Sequence, residues 1–290
     1  DQRPLSAGQR RFGNDPDRYA KVVEGAADAC KRLPDATVGI APHSLRAVPP
    51  NDLARLAELR PGSPIHMHLA ETIAEVDEVK TALGARPVEW MLANVDVSSR
   101  WCFIHITQMQ AAETSGLAST GAVAGLCPLT EASLGDGIFD GVRWLGAGGA
   151  ISVGSDSNIR ISLAEELRQL DTSQRLRDHT RAALATAERS TGRRLFEAVA
   201  SGGALAAGRR SGRIESGCWA DLLALDMTHV DLEGLLHDTI LDSFIFAGGN
   251  RMVQDVWAAG RHVVREGRHV RRAEIAAAYR GAVRPLREGV

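Results

Sequence analysis

The stretch "PIHMHLAE", residues 64–71, places His66 and His68 one residue apart and Glu71 three residues beyond the second histidine. Along an extended strand the side chains at i and i+2 share a face, so the two imidazoles point the same way. Such a pair can ligate a divalent metal or can form a hydrogen-bonded pair inside a core. Comparable groups recur further along: His43 and Arg46 in "APHSLRAV", His105 in "FIHITQM", Thr130 and Glu131 in "GLCPLTEASLGDGIF", and Asp156 in "VGSDSN". Each alone has a plain structural reading. Glu71 suits a helix N-terminus, Asp156 a helix or turn cap, His105 a core position, Arg46 the surface, and Thr130 and Glu131 a loop.

Their joint position gives them meaning. Every one lies within or just beyond a short apolar run, at 37–41, 64–69, 101–106, 122–127 and 151–154. Helical patterns lie between the runs. "NDLARLAEL" is capped by Asn51 or Asp52, and "ETIAEVDEVKTAL" carries Ile73, Val76, Val79 and Leu83 on one face; "PVEWMLANV" and "GVRWLGAGG" follow. Strands alternating with helices predict an α/β fold with a parallel sheet, and chemically capable residues at successive strand C-termini are what a TIM-type barrel presents. Residues 163–207 read as helical. Residues 208–290 alternate like antiparallel strands around glycine turns and close with a helix. The expected division is therefore a barrel-type portion at 1–207 and a second, smaller β portion at 208–290.

Composition limits the function classes. The 290 residues are 44% hydrophobic, enough for a large core, and carry a formal net charge of −2. No overall basic field attracts nucleic acid or anionic lipid. The arginine-rich stretch 260–272 reads as a solvated hairpin. Four cysteines are scattered without a CxxC pair, which argues against a disulfide framework and a thiolate zinc knot. Free thiols in a reducing, cytoplasmic compartment are expected. The uncharged run 114–130 is broken by Gly, Ser, Thr and Pro and is too short to span a bilayer.

In this order, "HMHLAE", "FIHITQM", "GLCPLTEASLGDGIF" and "VGSDSN" resemble the amidohydrolase superfamily. Together with "GQRRF", "APHSLRAV" and "RPVEWML", they resemble its formimidoylglutamate deiminases most. The resemblance implies a (β/α)8 barrel, here strands four to eight only, and makes the portion at 208–290 part of a small β-sandwich. It implies a metal, Zn2+ in the first place with Fe2+ or Mn2+ as alternatives, held here by His68 and Asp156. It assigns Glu71, His105 and Asp156 to catalysis and His43 and Arg46 to the substrate, and it leaves the role of His66 open. The implied reaction is hydrolytic deimination of N-formimino-L-glutamate to N-formyl-L-glutamate and ammonia in histidine degradation. The implied partner is thus a small acidic molecule, and a homodimer fits the family. The alternatives are a nucleoside or purine deaminase of the same superfamily and a non-catalytic truncated homologue.

The resemblance also implies two histidines on a first barrel strand. No run before Thr37 supplies one, His66/His68 is the only His-x-His, and the chain starts without Met. The expectation is an N-terminally truncated enzyme that binds zinc poorly and does not turn over. Gln108 and Asn158 stand where the family pattern has histidines, and Ser133 where it has asparagine.

Overall fold

A computed structural model describes residues 4–157 and 160–288. Helix α1 (Pro16–Cys30) opens the regular structure, with the Asp15 carboxylate accepting from the Arg18 N–H at its N-cap. Helix α2 (Pro50–Ala57) starts two or three residues earlier than Asn51 or Asp52 would allow as caps. Proline stands at its first position and Pro49 is the N-cap, which corrects the capping expectation. Proline at N1 needs no hydrogen-bond partner and has its φ preset for a helix.

A parallel sheet follows in the order β1 (Ile65–Leu69), β2 (Trp101–His105), β3 (Val123–Leu126) and β4 (Ala150–Val153). Helices α3 (Ile73–Leu83), α4 (Pro87–Asn94), α5 (Ala111–Ser119), α6 (Pro128–Leu134) and α7 (Gly141–Gly146) connect the strands. The register pairs His66 with Cys102 and Cys102 with Val123, while His68 pairs with Ile104 and Ile104 with Gly125. Alternation thus puts Ile65, Met67, Leu69, Trp101 and Phe103 on the helix-covered face, all buried in the main core. His66 and His68 belong to the opposite, inner face. Within α3, Val76 and Val79 are buried but Ile73 is 67% exposed, so the expected apolar face begins one turn later.

The run 37–41 is a second correction. Only Ile40 forms a bridge, parallel to Ile65, and no regular strand is assigned there. Three backbone bonds still tie the segment to β1: Ile40 N–H to Pro64 O, His66 N–H to Ile40 O, and His68 N–H to His43 O. That suffices to bring His43 alongside His68.

The helical region 163–207 resolves into α8 (Leu163–Asp178) and α9 (Thr191–Ala206). Helix α9 runs against β4 and ends under the inner face, where Ala206 packs with Cys102 and Val123. Gly202 makes the approach possible, since a Cβ there would lie 1.9 Å from the Ile151 carbonyl oxygen. Gly154 N–H bonds to β3, so by the parallel pattern Ile151 turns its carbonyl to the other edge of the sheet. The edge of β4 is therefore covered by a helix. Beyond it, β5 (Leu222–Leu225), α10 (Asp238–Ser243), β6 (Val253–Ala258), β7 (Arg261–Arg265), β8 (Arg268–His269) and α11 (Arg272–Glu288) complete the chain. The four late strands form one antiparallel sheet in sequence order.

Candidate active site

His66 and His68 face the same way and do different things. The His66 Nε2 donates to the carbonyl oxygen of Ala206 at 2.7 Å, which ties the lower end of β1 to the last turn of α9. His68, nearer the C-terminal end, donates from Nδ1 to the carbonyl oxygen of His43 at 2.9 Å. A carbonyl only accepts, so the proton sits on Nδ1 and the His68 Nε2 lone pair is left for a ligand. A backbone bond that fixes the tautomer and aim of an imidazole is what metal-binding histidines ordinarily have.

Three histidines line up across the strand ends, with ring centroids 5.0 Å apart for His43 and His68 and 5.7 Å apart for His68 and His105. Strict alternation would send His105 to the helix side with Trp101 and Phe103. Instead its φ is 72° and that of Ile106 is 42°, left-handed values that swing the ring toward His68. Ala70 and Asp156, at the ends of the first and last strands of this sheet, also have positive φ, 49° and 47°. Non-glycine residues in this region cost about 1–3 kcal/mol each and cluster where a side chain must be aimed.

Glu71 stands between the histidines and an arginine. One carboxylate oxygen accepts from Arg46 at 3.1 Å and the other lies 3.7 Å from His105 Nε2. The Glu71 backbone is held too, because Glu75 accepts the N–H groups of Ala70 and Glu71, and Thr107 Oγ1 donates to the Glu71 carbonyl. Glu75, buried and 3.7 Å from Arg46, was missed by sequence reasoning. Its signal is the capping pattern Thr72-x-x-Glu75, with Thr72 accepting from the Glu75 N–H.

Burial opposes charge on His105, but the Glu131 hydrogen bond and the carboxylates of Glu131, Glu71 and Asp156 outweigh it and raise its pKa. His43 is pushed the other way, by burial and by the neighbouring His68 and Arg46. Asp136 is buried and raised, first by burial and then by Glu71 and Asp156. Its backbone carbonyl accepts from Gln108, which occupies a position where histidine was expected. Ser133 turns its hydroxyl back to the Leu129 carbonyl on α6. Asn158 lies outside the described residues.

Two donor sets can be weighed for a metal. The side chains of His105, Cys127 and Glu131 offer ligand atoms within 4.8 Å of one another and are all buried. Their capacity is largely spent, since Glu131 bonds His105 and the Cys127 N–H, and burial with Glu131 nearby pushes the Cys127 thiol up so that it keeps its proton. His68 fits better, with its Nε2 lone pair free, and exposed Asp156, beyond the end of β4 at the far side of the sheet, is the candidate carboxylate donor.

The amidohydrolase family model matches residues 5–263. Formimidoylglutamate deiminase of Pseudomonas aeruginosa is 44% identical over 268 residues, 92% of this chain and 59% of that protein. The crystal structure of an amidohydrolase from Brucella melitensis superposes with a TM-score of 0.92 at 44% identity, covering 97% of this chain and 62% of that one. An adenosine deaminase from Xanthomonas campestris, solved with bound zinc, reaches 0.82 at 25% identity over 94% of this chain and 62% of its own. The chain thus spans about three fifths of the length of these relatives.

Proposed function

Because the chain belongs to the amidohydrolase family, we propose that it serves the hydrolytic deimination of N-formimino-L-glutamate to N-formyl-L-glutamate and ammonia. The observation that carries this reading is Arg46, half-buried at the strand ends with its guanidinium 3.1 Å from Glu71. Guanidinium recognises carboxylate by paired, charge-assisted hydrogen bonds, and the substrate carries two carboxylates. A nucleobase carries none.

His68 and Asp156 hold a divalent metal, Zn2+ foremost, which when bound supplies an acidified water and polarises the reacting carbon. Asp156 takes a proton from the attacking water. Oxygen adds to the formimino carbon and the carbon–nitrogen bond then breaks. Both protons of the water end on the leaving nitrogen. Asp156 returns the one it took, and Glu71, held between Arg46 and His105, passes the second from the hydroxyl of the tetrahedral intermediate, so that ammonia departs and the formyl carbonyl forms. His105 steadies the developing charge through Nε2, and His43 and Arg46 hold the carboxylate end. Four free cysteines agree with a reducing, cytoplasmic setting.

The test is ammonia release by the zinc-loaded protein expressed from its complete reading frame, offered N-formimino-L-glutamate and a panel of nucleosides. Release from the diacid alone supports the proposal. A protein that holds zinc, ignores the diacid and deaminates adenosine refutes it.

A further inference from the structure

Glu131 has no part in the steps above, yet its carboxylate is buried and closely held behind the cleft. It sits in the first turn of α6, 4% exposed. Its Oε1 accepts the Cys127 N–H at 2.7 Å and lies 3.2 Å from His105 Nδ1. The turn that carries it is pinned from two more sides. The Glu166 carboxylate on α8 accepts the Leu129 N–H at 2.9 Å, and Thr130 Oγ1 donates to the Ser155 carbonyl at 3.1 Å. The ring facing it is equally constrained, because the left-handed backbone at His105 leaves Nε2 pointing to Glu71 and Nδ1 pointing to Glu131.

A carboxylate oxygen offers only lone pairs, so a hydrogen bond between it and Nδ1 exists only with the proton on Nδ1. The alternative neutral tautomer would set two lone pairs against each other inside a dry pocket. We propose that Glu131 is a positioning residue that fixes His105 in the Nδ1–H tautomer and thereby reserves Nε2 for the cleft. Neutral, the ring presents a lone pair to the reacting centre; charged, it presents a donor at the same atom. The inference rests on the reading of His105 as the imidazole facing the reaction, but its test needs no turnover.

That test is long-range 1H–15N correlation NMR on the metal-free chain labelled with 15N-histidine, at alkaline pH where the ring is neutral. The His105 signals are identified by their loss in His105→Asn. In the wild type His105 shows protonated Nδ1 and unprotonated Nε2. Glu131→Gln, whose amide oxygen still accepts, keeps that pattern, whereas Glu131→Ala moves Nδ1 to the unprotonated region and Nε2 to the protonated one. Glu131→Met, similar in size and without an acceptor for N–H, takes the place of the alanine variant if that one does not fold. An Nε2–H tautomer in the wild type, or an unchanged tautomer in the variant lacking the acceptor, overturns the proposal. A chain with the expected tautomer whose complete protein does not deiminate the diacid refutes the proposed function and leaves this one standing.

Discussion

Glu166 offers the most demanding test of how the site is held. Its carboxyl is 2% exposed on α8, and burial pushes its pKa from 4.5 up to about 7 against the single compensating bond from the Leu129 N–H. A carboxyl that is harder to ionise in the folded chain than in the unfolded one favours folding only while protonated there. Its contribution is complete below about pH 4.5 and disappears as the pH rises through about 7. At about 1.4 kcal/mol per tenfold change in proton affinity, that rise amounts to about 3 kcal/mol. Glu166→Gln retains an oxygen for the Leu129 N–H and cannot ionise. Urea unfolding of both proteins at several pH values between about 4 and 8 measures the difference. The wild type loses about 3 kcal/mol relative to the variant across that range, and below its lower end the two differ by a constant. Parallel pH profiles would refute the burial argument. A wild type that gained stability over the variant with rising pH would show that Glu166 is stabilised as an anion.

Other consequences are equally open to measurement. Gly202→Ala forces α9 off the Ile151 carbonyl and lowers stability by about 3 kcal/mol, read from denaturant midpoints. His66→Leu leaves the Ala206 carbonyl without its donor and costs about 2 kcal/mol in thermal unfolding without changing metal uptake by the protein from its complete reading frame, whereas His68→Asn abolishes uptake by that protein with little loss of stability. Two protein donors, His68 and Asp156, are too few to hold zinc tightly, so the 290-residue chain by itself is expected to retain little zinc on dialysis and to release no ammonia from N-formimino-L-glutamate; tight zinc together with turnover would reverse that expectation. In the protein from the complete reading frame, Arg46→Met lowers kcat/KM for the diacid by about 100-fold, in keeping with the loss of a charge-assisted bond of about 3 kcal/mol.

The parts of the fold legible in the sequence were those set by local pattern. β1 to β4 fall where apolar runs end in polar residues, and α3 lies where Val76, Val79 and Leu83 recur at helical spacing. The proximity of Arg46, Glu71 and His105 followed from strand order, because the C-terminal ends of neighbouring parallel strands lie side by side. What escaped depends on partners distant in sequence. His66 could not be told from a ligand because its acceptor is 140 residues away. Cover for the β4 edge came from a glycine on α9 that no strand pattern announces. For Glu131 the sequence leaves open a strand-end chemical residue or a loop-shaping one, since nothing in "CPLTEAS" reveals that its carboxylate meets His105 at the end of β2. Ile40 lost its strand because one bridge is all that the segment forms with β1.

The two histidines of β1 are both anchored to main-chain oxygens, His66 to Ala206 and His68 to His43. A main-chain oxygen belongs to whichever amino acid stands there, so a mutation at 206 or 43 can leave the acceptor in place, and no compensating replacement can be selected. Paired substitution across a family is the usual trace of spatial contact. These two contacts would leave none. The most consequential ties in this site are therefore silent to any statistical reading of homologues, and only coordinates distinguish the histidine that holds the floor from the one that meets the reaction.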